Sequence, residues 1–261
     1  MKKPVIALAL VAAILVVLPA IVGTRAGGAD GTEPGTMSAF EILVESDAFH
    51  YDYSDCHMKL ETVLKDKDGN KSGIRYEMWE KGVKRLVVMQ EPADIAGMAV
   101  LAKDKDTIYV YEPEFNKVRR VASHAKKQTM FGMDYSTDEM ATHELHEDYD
   151  PSLVEEDASM AKLKLVQKTG LDKAWPELTV TIDKTNHFAA TKIEYRDEKG
   201  EKHKTEKRKK FKKMGGKWIA GVMVMTDHDK KHSTAIIPTF AEFDIGLEDK
   251  MFTKRFLVRE E

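Results

Sequence analysis

Apolar and polar positions alternate with a period of two through most of this chain, the spacing of strands that bury one face. Met58–Lys65 sets Leu60, Thr62 and Leu64 against charged neighbours, and Leu178-Thr179-Val180-Thr181-Ile182 alternates without a break. Similar patterns cover Gly73–Lys81, Val83–Glu91, Met98–Ala102, Thr107–Tyr111, Lys117–Val121, Ala161–Lys168, Glu177–Asp183, His187–Asp197, Lys202–Lys213, Lys217–Asp227 and His232–Ile245. Turn chemistry separates them at Asp66–Asn70, Lys103–Asp106, Asp183–Asn186, Glu198–Glu201 and Met214-Gly215-Gly216. The pattern predicts a mainly β (α+β) protein with about eleven antiparallel strands in hairpin order. One long curved sheet with a few helices on its concave side is the economical arrangement.

Two stretches depart from simple alternation. Trp218–Thr226 and Thr107–Tyr111 are apolar on both faces, and a strand of that kind needs cover on both. Helical signals are few. Ser38 and Glu41 form a capping box ahead of a short helix over Ser38–Val44, and the acidic run His143–Pro151 reads as a loop. Between them lies Lys117–Met140. It begins as a strand with Arg119 and Arg120 and reaches an apolar knot, Met130-Phe131-Gly132-Met133. It then turns through Asp134-Tyr135-Ser136 into a helix, with Ser136 as N-cap and Asp138 and Glu139 in the first turn. Such a strand-to-helix link inside a β meander suits a plug or lid over a sheet.

The ends add the compartment. Met1-Lys2-Lys3 followed by the apolar Val5–Val22 reads as a secretory signal with cleavage after Ala26. The same run is long enough to serve as an uncleaved inner-membrane anchor. Residues 27–37 form a Gly/Thr/Pro tether, leaving 38–261 as one domain. The lone Cys56 excludes an internal disulfide, so the expected location is a bacterial periplasm, with Cys56 a packed thiol.

Net charge of −3 removes overall charge as a reason to bind nucleic acid. The basic run Lys202–Lys213 carries one aromatic, Phe211, too few for base stacking. It reads as a rim or edge strand guarded by charge, or as a contact for anionic headgroups. No phosphate loop, dinucleotide fingerprint, HExxH or GxSxG occurs. His143/His146 and Asp227-His228-Asp229 with His232 lack fixed metal-ligand spacing and read as solvated loops. No enzyme chemistry, cofactor or metal is therefore expected. Methionines at 78, 89, 98, 130, 133, 223 and 225 fall on strands or on the link. Most such residues are core, but methionine also suits a surface that adapts to varied apolar ligands.

Several segments in order carry a resemblance. Pro92–Leu101 is followed by Tyr111-Glu112-Pro113 with Arg119-Arg120, then by Phe131–Asp138, and last by Phe252-Thr253-Lys254-Arg255-Phe256-Leu257. These segments resemble the outer-membrane lipoprotein-sorting (LolA-like) family, in its periplasmic branch associated with RND-type lipid transporters. Met133, Tyr135 and Thr137 depart from the family pattern, which has Ser, Phe and Tyr there. The resemblance implies an open half-barrel with a helical lid over an apolar cavity, and non-enzymatic carriage of lipid or lipoprotein acyl chains towards the outer membrane. It implies Met78, Met89, Val110, Met130, Phe131, Met133, Tyr135, Val180, Trp218, Met223 and Met225 as lining. Gly132, Asp134 and Ser136 become the lid hinge, and Arg119 and Arg120 a contact for a headgroup or partner protein. Expected partners are an inner-membrane RND-type transporter or an outer-membrane receptor, with the carrier a monomer. The alternative is an envelope sensor or scaffold that uses the same fold to dock a protein.

Overall fold

A computed structural model describes residues 37–104, 107–121, 128–129, 131–141 and 144–258. The predicted signal, all of the tether but Met37, and Met130 and His143 lie outside the described residues. The helices are α1 (Ala39–Tyr51), α2 (Thr137–Ala141), α3 (Leu145–Asp148) and α4 (Lys254–Leu257). The first strands are β1 (Asp55–Lys65), β2 (Lys71–Lys81), β3 (Lys84–Glu91), β4 (Ala99–Ala102), β5 (Ile108–Glu112) and β6 (Lys117–Arg120). After the helical link come β7 (Tyr149–Glu156), β8 (Met160–Gln167), β9 (Glu177–Asp183), β10 (Ala189–Arg196) and β11 (Lys202–Lys209). The last are β12 (Lys212–Met214), β13 (Lys217–Ile219), β14 (Val222–Asp227) and β15 (His232–Phe243).

Thirteen strands form one open antiparallel sheet in the order β6-β5-β4-β3-β2-β1-β15-β14-β11-β10-β9-β8-β7, and β12 and β13 pair separately. The open half-barrel is the expected fold, with more strands than the pattern alone counted. The added strand is β7, in a stretch read as loop; Lys202–Lys213 divides into β11 and the start of β12, and the apolar run from Trp218 to Thr226 divides into β13 and β14 around Ala220-Gly221. At Gly221 a Cβ would lie 2.3 Å from the Lys210 carbonyl oxygen, so only glycine lets the two backbones approach.

The order places β1 beside β15 at the sheet's middle, paired from Cys56 opposite Phe243 to Lys65 opposite Ser233 with one register shift between Lys59 and Leu60. The two edges, β6 and β7, are consecutive in the chain. The link between them has to cross the sheet, and its described residues pack on one face through Met133 and Tyr135. Ile42 and Leu43 of α1, Met133 and Tyr135 of the link, and inward residues of β1, β2, β3, β8, β9 and β10 form the main core. On the other face of β3 and β4, Leu86 and Leu101 pack with Phe252 and Leu257 near the C-terminus. Tyr109 and Tyr111 join that second cluster, while Ile108 and Val110 of the same strand are buried from the opposite side. This two-sided cover is what the Thr107–Tyr111 pattern requires.

α1 begins with the predicted capping box: the Ser38 amide donates to Glu41 Oε2 at 2.7 Å. It runs on to Tyr51 rather than stopping near Val44, because polar Ser46 and Asp47 lie on its buried face and hide the period. Asp47 is satisfied by the backbone amide and ring Nδ1 of His146, each 2.8 Å away. That pairing folds part of the expected loop 143–151 into α3. The reading of Lys202–Lys213 as an edge also gives way: β11 lies between β10 and β14. Its Lys204, Thr205 and Glu206 are buried, paired within the fold rather than held in water. Cys56 is buried, and burial pushes its thiol up to about 12, as a packed thiol requires.

A cavity beneath the crossing link

The link is fastened to the sheet through Asp134, which is almost wholly buried. Its backbone amide donates to Thr234 Oγ1 at 2.9 Å, and the Thr234 hydroxyl donates to Asp134 Oδ2 at 2.8 Å. His232 Nδ1 stands 2.8 Å from the same carboxylate, and Lys204 Nζ donates to the Asp134 carbonyl at 2.7 Å. Thr234 and His232 belong to β15, so the link is tied near the centre of the sheet. Sequence reading grouped His232 with Asp227 as a loop cluster. In the fold Asp227 instead accepts from the amides of its own turn, at Asp229 and Lys230.

Just before this point Phe131 and Gly132 take left-handed backbone, with φ of 54° and 71°. Ser136 then opens α2: its amide donates to Glu139 Oε2 at 2.5 Å and its hydroxyl accepts from the Glu139 amide at 3.3 Å. The acidic first turn serves more than the helix dipole. Glu139 accepts from Lys204 Nζ at 2.9 Å and from Trp175 Nε1 at 2.6 Å. Asp138 pairs with Lys173 at 3.1 Å. Burial raises the Glu139 carboxyl above its ordinary range, while Lys204 acts in the opposite direction.

Beneath the link lies a cavity of about 190 Å³. One wall is apolar, with Met58, Leu60, Met78, Met223, Ile236 and Pro238. The lining also carries polar groups: Arg85 and Arg208 on the sheet beside these residues, and the phenols of Tyr51, Tyr53 and Tyr135. Alternation explains why they meet: Met58 and Leu60, Tyr76 and Met78, and Glu206 and Arg208 are each two apart on a strand, so each pair faces the same way. Arg85 Nε donates to Glu80 Oε2 at 2.7 Å, and Tyr53 donates to Glu80 Oε1 at 2.9 Å. Arg208 Nε donates to Glu206, which also accepts from Tyr195 at 3.3 Å. Burial works against the charge of each guanidinium, and the adjacent carboxylates more than offset it, keeping both arginines charged. Burial lifts Tyr51 to about 12, so the phenol stays protonated at neutral pH.

Of the expected lining residues, Met78, Tyr135, Trp218 and Met223 meet at this cavity. Met89, Met133, Val180 and Met225 are buried in the main core and are not among the residues lining the cavity. Val110 is buried on β5, away from the cavity lining, and Phe131 packs half-buried against the core edge. Met130 lies outside the described residues. Arg119 and Arg120 are exposed on the edge strand β6, with Arg119 paired to Glu112. The arginines at the cavity are Arg85 and Arg208, which sequence reading passed over. Arg85 follows Lys84 in a turn-flanking position, and Arg208 is one of many cations in a basic run. Their alternation with Val87 and with Lys204 and Glu206 was the available signal.

Among the described residues, Asp197, Glu201 and His203 are close enough to share a metal ion. His203 Nδ1 is already bonded to Asp229 at 2.6 Å. No helix among the described residues is long and apolar enough to cross a membrane.

A family model described only as an uncharacterised protein matches residues 81–259. A Vibrio parahaemolyticus domain assigned as an outer-membrane lipoprotein-sorting protein is similar at 25% identity and a TM-score of 0.76, over 85% of this chain and 98% of that one. A LolA superfamily protein from Nitrosomonas europaea shares 20% identity with a TM-score of 0.72, over 85% and 100% of the two chains. A DUF1329 family protein from Desulfovibrio piger shares 19% identity with a TM-score of 0.75, over 84% and 97%. No curated protein matches the sequence.

Proposed function

Since the chain belongs to the LolA-like family of outer-membrane lipoprotein-sorting proteins, we propose that it is a non-enzymatic periplasmic carrier of acyl chains. The observation that supports this most is the cavity itself. A wall of methionines and aliphatic residues lies beneath a link held by polar contacts at Asp134, Asp138 and Glu139. Burying an acyl chain is worth about 0.8 kcal/mol per methylene, so partial enclosure suffices for firm holding. Release then requires the link to lift, or a receptor that binds the open form better, since a ligand shifts states only by differential affinity. Residues 1–26 direct export, 27–37 act as tether and 38–261 form the carrier body. Cargo moves towards the outer membrane, received from an RND-type transporter or handed to a receptor, with Arg119 and Arg120 on the exposed edge as a docking contact.

Lipid extraction from the purified protein followed by mass spectrometry is the test. Stoichiometric acyl lipid is expected. Absence of co-purified lipid, together with no binding of a fluorescent acyl probe, defeats the carrier reading.

A further inference from the structure

The polar lining of the cavity holds one group whose bonding is incomplete. The Tyr135 hydroxyl is buried, and no partner for it exists among the described residues. Leaving a buried hydroxyl unpaired costs about 1–3 kcal/mol, which native folds rarely tolerate away from ligand sites. Tyr135 itself is 7% exposed, so bulk water does not replace the missing partner.

Two further donors line the same cavity. Arg208 spends its Nε–H on Glu206, and its terminal nitrogens make no hydrogen bond among the described residues. Guanidinium carries five N–H donors in a fixed fork, so one edge can hold Glu206 while the other receives a second anion. His50 accepts from the Ala190 amide through Nε2 at 3.3 Å, which places its ring proton on Nδ1. Burial, followed by the nearby Arg208, keeps that imidazole neutral and so keeps the tautomer. Arg85 and Lys204 differ from Arg208. Glu80 lies against both Nε and Nη2 of Arg85, at 2.7 and 2.6 Å, and Lys204 is shared between Glu139 and the Asp134 carbonyl. The unspent donors therefore line the same cavity as Met58, Met78, Met223 and Ile236, and Arg208 sits directly across the β11–β14 pairing from Met223.

We propose that Arg208, Tyr135 and His50 form a head subsite for an anionic amphiphile, whose carboxylate or phosphate binds there while its acyl chain follows the methionine wall. The inference rests on the carrier reading and narrows its ligand class. A neutral acyl ester would accept from the Tyr135 hydroxyl more weakly than a carboxylate does and would leave the outer edge of Arg208 without an anion.

Titration with a dansyl-labelled fatty acid, its methyl ester and inorganic phosphate as competitor tests it. The wild-type chain is expected to bind the acid at least tenfold more tightly than the ester. Tyr135→Phe should reduce that ratio about threefold. Arg208→Met should bring the acid to within about twofold of the ester. Because Arg208→Met leaves Glu206 buried without its cation, the paired change Arg208→Met/Glu206→Leu provides a second variant with no stranded charge. Equal binding of acid and ester by the wild type overturns the subsite while leaving the carrier reading standing. So does a tenfold ratio that survives in a folded Arg208 variant. Displacement of the acid by millimolar inorganic phosphate would assign the subsite to a free anion and overturn the amphiphile. Binding of neither acid nor ester defeats the carrier reading itself.

Discussion

Tyr135 shows how a single side chain can be costly to the fold and still be kept. Its phenol lies in a position the apolar ring alone would fill, and the hydroxyl brings no internal bond. Tyr135→Phe is therefore expected to raise stability by about 1 kcal/mol, read as a higher urea midpoint, even as it weakens binding of an anionic probe. Glu194 works the other way. Burial would raise its pKa, but hydrogen bonds from Lys192 and Arg196 prevail and hold the carboxyl at about 2. A depressed folded-state pKa means stability that is present above the ordinary value of 4.5 and lost as pH falls through about 2. Glu194→Gln should cost on the order of 2 kcal/mol at pH 6 and very little near pH 2, a convergence that urea titrations at the two pH values would reveal.

At the scale of elements, the crossing link is the part whose stability should separate from the rest. It has left-handed backbone at Phe131 and Gly132, and much of its hold comes from Asp134 on Thr234 and His232. Thr234→Val keeps the side chain's shape but removes both the acceptor for the Asp134 amide and the donor to its carboxylate. Hydrogen exchange should then speed by about tenfold or more in residues 131–141, while amides of β1 and β15 beyond the contact stay protected. Gly132→Ala should cost about 1 kcal/mol through the backbone, because its Cβ would meet only Leu64 Cδ2 at an ordinary 3.5 Å. Phe131→Ala tests the link as a gate: the acyl-probe Kd should rise several-fold with far-ultraviolet circular dichroism unchanged. An unaltered Kd would make Phe131 a packing residue only.

The whole molecule has two open sheet edges, and β7 shows how one is guarded. It exposes Leu153 and Val154, which would invite pairing with another chain. Pro151, a register shift between Leu153 and Glu155, and the exposed pair Glu155 and Glu156 oppose that. Replacing both glutamates with valine should leave the monomer folded and raise light scattering on storage at neutral pH. The edge also explains part of what sequence reading missed. The apolar residues of β7 alternate poorly because neither face is fully covered, so the period-two signal was weak and the stretch read as loop.

Strand periodicity, turn chemistry and the Ser38 and Ser136 caps were set by neighbours within a few residues, and these the sequence determined by itself. The alternation of Met58 with Leu60, or of Leu178, Val180 and Ile182, needs no knowledge of which strand lies alongside. The same holds for the single packed thiol and for the unusual link between β6 and β7. Tertiary structure decided which buried positions are solid core and which border a void, because both demand the same apolar residues: Met225 and Met223 look alike in sequence, yet one is core and the other cavity wall. It also decided the fate of the charges. Lys204, Glu206 and Arg208 carry the appearance of a solvated edge; Glu206 and Arg208 pair with each other, but the burial of Lys204 depends on partners distant in the chain, Glu139 and the Asp134 carbonyl. Burial of an ion depends on what meets it across space, and a chain read one residue after another does not contain that distance.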